Sequence, residues 1–206
     1  MKRIDKLILG ILFGISFPLF FFLLAVLVWF SYSNDESIVL YFVSSGLLVG
    51  LFIDILILKK LINNGFNLSV WILICIYLFY NICIFEFFMG FPVFNLIMGG
   101  IAGLYFGKKI IYNDITLIER PPIIKQVAAF TGIIMSVICL ASGLIAFIDQ
   151  YTGKDLQGML GLQFEVSKAM IVAIILVGGM TLIIAQYILT KIVMIKTIKH
   201  YESNAS

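Results

Sequence analysis

Apolar runs alternate with short polar stretches six times along the 206 residues of this chain. Each run is close to the length of about 20 residues that a helix needs to cross the hydrocarbon core of a bilayer, which is about 30 Å thick. We therefore predict an all-α, polytopic membrane protein that folds as a single six-helix transmembrane bundle. The predicted spans, here called segments one to six, cover approximately residues 7–30, 38–58, 68–89, 92–107, 127–148 and 169–190.

The connection between segments three and four predicts an antiparallel hairpin, because only the tripeptide Gly90, Phe91 and Pro92 interrupts the apolar pattern. Segment four has about 16 residues, roughly 24 Å of helix, which is short for a span. We expect it to continue through Lys108 and Lys109, whose apolar stems can lie in lipid while their ammonium groups reach water. The alternative is a partly re-entrant segment buried among the other helices.

Prolines and helical periodicity refine the pattern at three places. Pro18 lacks the N–H that a helix interior needs, so segment one should bend there. Pro121 and Pro122 predict an extended stretch that stops any helix before segment five. In the loop after segment five, apolar residues recur at helical spacing and predict a short amphipathic helix on the outer surface. These residues are Leu156, Met159, Leu160 and Phe164.

The distribution of basic residues predicts the orientation of the chain. Of the 14 Lys and Arg residues, 12 fall on one side of the six-segment pattern, and only Lys154 and Lys168 fall on the other. Basic residues are retained preferentially on the cytoplasmic side of membranes. We therefore predict that both termini are cytoplasmic, N-in and C-in. The 12 residues are Lys2, Arg3, Lys6, Lys59, Lys60, Lys108, Lys109, Arg120, Lys125, Lys191, Lys196 and Lys199.

The composition favours lipid as the solvent for the whole chain. Hydrophobic residues make up 62% and charged residues 12%, whereas soluble domains average about 45–50% and about 25%. No polar region is long enough for a second domain, so residues 1–206 are predicted to form one transmembrane domain in the lipid bilayer. The basic residues lie at membrane borders, so the net charge of +3 predicts no nucleic-acid binding. Brevity and Ile, Lys and Asn usage favour a prokaryotic plasma membrane.

Glycines spaced four residues apart line one face of three segments. Small residues let helix backbones approach closely in lipid, so we expect segments one, two and four to make close contacts in the bundle. The same faces are predicted to suit a helix of a partner membrane protein or, alternatively, a cleft lined by exposed backbone. The residues are Gly10 and Gly14 in segment one, Gly46 and Gly50 in segment two, and Gly99, Gly103 and Gly107 in segment four.

Polar side chains inside the apolar segments are the candidate substrate contacts. Asp54, one turn from the cytoplasmic border, can bind a cation, titrate during transport or pair with a nearby lysine. Glu86 lies near the outer border and can face a cleft open to the outside. Asn81, Asn95 and Gln186 lie deeper, where an unpaired amide is costly, so each must bond another helix or a ligand. The aromatic residues that can supply apolar walls are Trp71, Tyr77, Tyr80 and Phe94.

Familiar catalytic and metal-binding patterns are missing from the sequence. The one histidine, His200, lies in the C-terminal tail, so a Ser-His dyad or an H-E-x-x-H site cannot form in the membrane. Asp54 and Glu86 lie near opposite borders, which excludes a catalytic carboxylate pair. The three cysteines lie in apolar runs without metal-type spacing and are interpreted as buried small hydrophobes. We predict no enzyme activity, no cofactor and no metal site.

Two functions remain open. The first is binding or translocation of a small solute, alone or as a subunit of a larger transporter. The second is a membrane scaffold or assembly factor that acts through helix faces and the cytoplasmic loop 108–126. An internal polar cavity beside Glu86, Asn81 or Gln186 would favour transport, and a solid core would favour a scaffold.

The size, the six spans and the cytoplasmic termini resemble those of the substrate-capturing membrane subunits of vitamin uptake systems. The likeness is one of topology and includes no sequence motif, so it serves as an analogy. It implies that the small-residue face of segment one, which contains Gly10 and Gly14, docks on a partner subunit.

Overall fold

The structure, a computed structural model, describes residues 3–32, 36–161, 163–164 and 166–203. All regular secondary structure in these ranges is helical. Five of the helices in these ranges are long and apolar enough to cross a membrane. They are Asp5–Tyr32, Ser37–Asn63, Val70–Phe87, Arg120–Ile148 and Lys168–Ser203. The prediction of an all-α protein with several membrane-spanning helices is confirmed.

Contacts divide the chain into two compact units, Met1–Ile76 and Tyr77–Ser206. The first contains α1 (Arg3–Gly14), α2 (Ser16–Tyr32), α3 (Glu36–Asn63) and the first part of α4 (Val70–Phe87). The second contains the rest of α4, a 3₁₀ turn (Pro92–Asn95), α5 (Leu96–Tyr112), α6 (Arg120–Ile148), α7 (Thr152–Leu160) and α8 (Lys168–Ser203). The single domain expected from the sequence stays a prediction.

In the first unit, α2 packs along α3, and glycines of α3 lie at the contact. A Cβ at Gly46 would lie 2.5 Å from the carbonyl oxygen of Phe21, and a Cβ at Gly50 would lie 2.6 Å from the Cα of Pro18. Because any side chain here would overlap the backbone of α2, glycine is what allows the two helices to approach so closely. The expected close contact between segments one and two is confirmed.

In the second unit, α8 packs against both α5 and α6. A Cβ at Gly103 would lie 2.8 Å from the carbonyl oxygen of Thr190, and a Cβ at Gly107 would lie 2.8 Å from the Cβ of Thr197. The glycine face of segment four therefore packs on segment six of the same chain. A buried apolar core joins the ends of α5, α6 and α8 and consists of Ile110, Val127, Met194 and Ile198.

The hairpin between segments three and four is confirmed, with two residues of positive φ in its turn. Helix α4 ends at Phe87, and Met89 and Gly90 follow with φ of 53° and 80°. The Asn95 side chain then bonds Asn81, which places the start of α5 beside α4. As expected, α5 continues through Lys108 and Lys109 to Tyr112.

The predicted effect of the double proline was wrong. Pro121 and Pro122 lie in the first turn of α6, which begins at Arg120 rather than near residue 127. The first N–H groups of a helix have no partner within it, so proline costs little there and its fixed φ suits the helix. Near Pro18 the helix is interrupted at Ile15, between α1 and α2, and the expected bend stays a prediction.

A short helix in the loop after segment five is confirmed, as α7. It ends at Leu160, before Gly161 with φ of 64°, so Phe164 lies beyond it. Its position on the outer surface stays a prediction. The interpretation of the cysteines was only partly right. Cys139 is buried, but Cys83 is partly buried and Cys75 is exposed. Helix α4 is apolar on every face, so the sequence pattern does not separate its lipid-facing side from its packed side.

Candidate functional site

Four polar side chains from three elements meet inside the second unit. Tyr77 and Asn81 come from α4, Asn95 ends the 3₁₀ turn and Gln186 comes from the middle of α8. Tyr77 is 8% exposed, and the three amides are 2% exposed or less. We call these four residues the amide cluster. None of them carries a charge, so placing the cluster in lipid does not have the high free-energy cost of burying a charged group.

Hydrogen bonds link the first three members. The Asn95 amide nitrogen donates to the backbone oxygen of Asn81 at 2.8 Å and to its side-chain oxygen at 3.1 Å. The Asn81 amide nitrogen donates to the backbone oxygen of Tyr77 at 2.8 Å. Asn81 is thus bonded through both its side-chain nitrogen and its side-chain oxygen, as a buried amide requires.

Gln186 joins the cluster from α8. Its amide nitrogen donates to the Tyr77 hydroxyl oxygen at 3.1 Å. The Gln186 side chain lies flat against Gly99, where a Cβ would come within 2.8 Å of its amide carbon and oxygen. The absence of a side chain at Gly99 is what makes room for the amide. The glycine of segment four therefore creates part of the cluster as well as a helix contact.

Two oxygens of the cluster are buried and have no hydrogen-bond partner among the described residues, Asn95 Oδ1 and Gln186 Oε1. The Asn95 amide cannot be turned over, because both atoms that its nitrogen contacts are acceptors. Turning over the Gln186 amide would only replace an unpaired acceptor with an unpaired donor. A buried polar group without a partner costs about 1–3 kcal/mol. These oxygens are therefore suited to a donor supplied by another molecule.

The remaining predicted contacts lie elsewhere. Glu86 is exposed, about one and a half turns after Asn81 along α4, and so lies outside the buried cluster. Asp54 belongs to the first unit, where it is 9% exposed. Its Oδ1 also has no hydrogen-bond partner among the described residues. Three of the five residues predicted from the sequence thus come together, and Glu86 does not join them.

The sequence did not show how several further buried polar groups are paired. Thr131 and Thr190, both 0% exposed, share a hydrogen bond of 2.9 Å between α6 and α8. Asp5 is 0% exposed at the start of α1. Lys108 is 4% exposed, and its Nζ lies 5.6 Å from the centre of the Tyr201 ring. Hydrophobic periodicity was the only sequence signal available for these residues, and it does not show which distant residues contact each other.

A cavity of about 340 Å³ lies where the end of α6, α7 and the start of α8 meet. Its polar lining includes Asp149, Gln150, Ser167 and Lys168, and it contains neither Glu86, Asn81 nor Gln186. The Asp149 carboxylate accepts from the Tyr151 N–H at 3.1 Å. That bond, together with one from the Thr152 hydroxyl, lowers the pKa of Asp149 below its usual range.

The helices are the observation that indicates what class of protein this is. Within the described ranges, no three His, Cys, Asp or Glu side chains lie close enough to hold a metal ion. Five helices are apolar and long enough to cross lipid. The chain is an integral membrane protein. Comparison with protein-family models, with curated proteins and with solved structures finds no match.

Proposed function

We propose that this membrane protein binds a small, uncharged solute at the amide cluster, and that it translocates the solute or captures it for a larger transporter. The observation that carries the proposal is the pair of buried, unpaired oxygens, Asn95 Oδ1 and Gln186 Oε1. A solute that offers N–H or O–H groups would satisfy both oxygens. It would thereby recover the free energy that their burial costs, about 1–3 kcal/mol for each group.

The lack of charge in the cluster supports an uncharged solute. Moving a charge into the hydrocarbon core is expensive unless an opposite charge compensates it. Tyr77, Asn81, Asn95 and Gln186 offer dipoles and no such charge. A neutral solute with several donors fits this chemistry better than an ion does. Small-molecule sites of this kind use a few placed polar groups against apolar walls, and Tyr77, Met98 and Ala102 form such a wall here.

The proposal includes six spans with both termini in the cytoplasm of a prokaryotic cell. Helix α5 has 17 residues, and the 3₁₀ turn before it adds 4 residues. At about 1.5 Å and 2.0 Å per residue they reach about 33 Å together, close to the roughly 30 Å of the hydrocarbon core. The positions of 12 of the 14 basic residues support the orientation.

Thermal unfolding of the purified protein tests the proposal against a panel of neutral solutes rich in N–H and O–H groups. A solute that binds the folded state should raise the unfolding midpoint. The variant Gln186→Leu removes the unpaired oxygen together with the hydrogen bond to the Tyr77 hydroxyl. The first loss stabilises and the second destabilises, so without solute the stability should change by no more than about 1–3 kcal/mol. With solute, the rise in the midpoint should be lost.

The matched control is Thr181→Val, which removes an exposed hydroxyl from the same helix, α8. This variant should respond to the solute as the unchanged protein does. The proposal fails if no solute stabilises the unchanged protein, or if Gln186→Leu and Thr181→Val respond alike.

Two observations favour the second candidate function, a scaffold or assembly factor. The cavity of about 340 Å³ includes none of Glu86, Asn81 and Gln186, so it gives no support to transport. In the connection between α5 and α6, Leu117 is 73% exposed and Ile118 is 88% exposed. With the proposed orientation this connection is cytoplasmic, where exposed apolar side chains suit a protein contact. Crosslinking in native membranes should then recover one stoichiometric partner, and the double change Leu117→Ser and Ile118→Ser should release it. Crosslinks to lipid and to the protein itself alone would contradict a scaffold.

A further inference from the structure

The first span contains a break beside Asp54, a buried carboxylate of α3. Helix α1 ends at Gly14, Ile15 forms a turn, and α2 begins at Ser16. Pro18 has no N–H, so it cannot donate to the Gly14 carbonyl as the corresponding residue of a regular helix would. Backbone of this kind is tolerated at membrane depth only where other groups satisfy it. The Gly14 carbonyl therefore lacks the donor that a regular helix would supply from Pro18.

Asp54 of α3 faces this break. Its Oδ2 lies 3.4 Å from the point that a Cβ at Gly14 would occupy. Asp54 is 9% exposed, and its Oδ1 has no hydrogen-bond partner among the described residues. The carboxylate thus lies beside Gly14, whose carbonyl cannot accept from Pro18, and its Oδ1 is bonded to no positive group among the described residues. A lone charge in this position is costly, so something must neutralise it.

The charged residues of α3 and of the helices that pack on it are separated from Asp54 or from Gly14 along the helix axes. The elements that pack on α3 are α1 and α2. Helix α2 carries no charged residue, and its Tyr32 is at the far end. On α3, Lys59 and Lys60 are exposed and follow Asp54 by five and six residues, about 7–9 Å along the axis. The other charged residues of these helices, all eight or more positions from Gly14 or Asp54, are Arg3, Asp5, Lys6 and Glu36.

We propose that Asp54 and the break at Gly14–Ile15 form a binding site for a single monovalent cation, either an alkali ion or a proton. One positive charge makes the carboxylate neutral, whereas a divalent ion would leave an uncompensated charge in lipid. An alkali ion would be held by the carboxylate and by carbonyl oxygens of the broken helix, the arrangement that discontinuous membrane helices use for coupling ions. A proton on Asp54 would instead be donated toward the Gly14 carbonyl.

This inference does not depend on a solute at the amide cluster, because Asp54 belongs to the other unit. A monovalent cation held at a break in a membrane helix can couple its own binding to movement of that helix.

Unfolding of the purified full-length chain tests the site. The fluorescence of Trp29 and Trp71, both within Met1–Ile76, reports on this unit. The midpoint is measured in sodium, potassium, lithium and choline chloride at one ionic strength, and then across pH. If an alkali ion binds, at least one of the three salts should raise the midpoint above that in choline, and Asp54→Asn should remove the rise. If a proton binds, the salts should act alike, and Asp54→Asn should remove a step in the pH dependence.

Two further variants sharpen the result. Pro18→Ala returns an N–H to the Gly14 carbonyl and leaves the carboxylate in place, so it should weaken the response to the ion or shift the pH step even if Asp54→Asn does not fold. Asp155→Asn, an exposed carboxylate of α7, should respond as the unchanged protein does. The proposal is overturned if the unchanged protein is insensitive to both salt and pH, or if Asp54→Asn or Pro18→Ala retains the full response.

Discussion

Individual buried polar residues act in pairs across the helices of the second unit. Thr131 on α6 and Thr190 on α8 are both 0% exposed and share a hydrogen bond of 2.9 Å. In lipid there is little hydrophobic force between helices, so such bonds and close packing hold helices together. The Thr131 hydroxyl also donates to the Ala128 backbone oxygen at 3.0 Å, so Thr190 is the donor in the bond between the two side chains. Removal of Thr131 therefore leaves the Thr190 hydroxyl without this acceptor, whereas removal of Thr190 leaves Thr131 bonded to Ala128.

A double-mutant cycle on this pair should show coupling. The coupling energy between Thr131→Val and Thr190→Val should be about 0.6 kcal/mol and no more than about 1.7 kcal/mol, the range that double-mutant cycles give for interhelical hydrogen bonds in membranes. The double change should cost less than the sum, because it leaves no unpaired hydroxyl. Unfolding in mixed micelles gives the three values. Strict additivity would show that the two hydroxyls do not bond each other.

A pH effect should be visible at Asp149, outside the spans. Its carboxylate accepts from the Tyr151 N–H and the Thr152 hydroxyl, which lowers its pKa. Because the folded-state pKa is lowered, the stabilisation of α7 is fully present above the ordinary value of about 3.9 and is lost as pH falls through the lowered pKa. Hydrogen exchange of the α7 amides, corrected for intrinsic rates, should show this loss of protection in acid.

Substitutions separate this effect from others in the same helix. Asp149→Asn keeps a side-chain acceptor and removes the titrating group, so α7 protection should no longer change in acid. Asp155→Asn changes a carboxylate in the first turn of α7 that makes neither bond, and it should keep the loss of protection. An unchanged acid response in Asp149→Asn would assign the effect to another group.

At the scale of elements, glycine decides which helices touch. On α5, Gly103 lies against the backbone of α8, and Gly107 lies against Thr197. Gly100 is on the same helix, yet a Cβ there would meet nothing within 4 Å. The sequence does not distinguish Gly100 from Gly103 and Gly107, because they differ only in whether a neighbouring helix packs against them.

The comparison of Gly103→Ala with Gly100→Ala tests this contact. At Gly103 the new methyl would lie 2.8 Å from the Thr190 carbonyl oxygen, so the helices must separate, at a cost of about 1–3 kcal/mol. At Gly100 there is room, and the change should be neutral or stabilising by up to about 1 kcal/mol, because alanine favours helix. Equal effects on the unfolding free energy would rule out the α5–α8 contact.

Helix α8 is longer than its apolar run because its end is packed. It continues for 36 residues to Ser203, about 54 Å, which exceeds the hydrocarbon core. Near that end Glu202 pairs with Arg120, whose Nε also donates to the Ile115 carbonyl at 3.0 Å. Hydropathy predicted an end near residue 190 because it measures only the part of the helix in lipid.

At the scale of the whole molecule, accessibility tests the orientation. In a protein whose three cysteines are replaced by alanine, Asp155→Cys or Gln157→Cys should react with an impermeant maleimide on intact cells, since the proposed orientation puts α7 outside. Leu117→Cys, equally exposed, should react only after the membrane is opened, as should a marker fused behind Ser206. Reaction of Leu117→Cys from outside, with Asp155→Cys protected, would reverse the orientation.

Hydropathy and small-residue spacing determined, without a structure, that the protein is helical and where its helices run. Lipid offers no hydrogen-bonding groups, so each spanning segment must form its backbone hydrogen bonds within itself. A helix therefore depends on residues that are close together in the sequence. The hairpin at Gly90, the break near Pro18 and the close approach at Gly50 followed from the same local chemistry. Asn81, Asn95 and Gln186 were recognised as residues that need partners.

Only the tertiary structure decided which groups are the hydrogen-bond partners of these amides. Asn95 bonds Asn81 from 14 residues away, and Gln186 reaches Tyr77 from 109 residues away. It also showed which oxygens of Asn95, Gln186 and Asp54 are left unpaired. The reason is physical: a helix forms from neighbours in the sequence, whereas a buried amide is satisfied by whatever the packing of distant helices brings within about 3 Å.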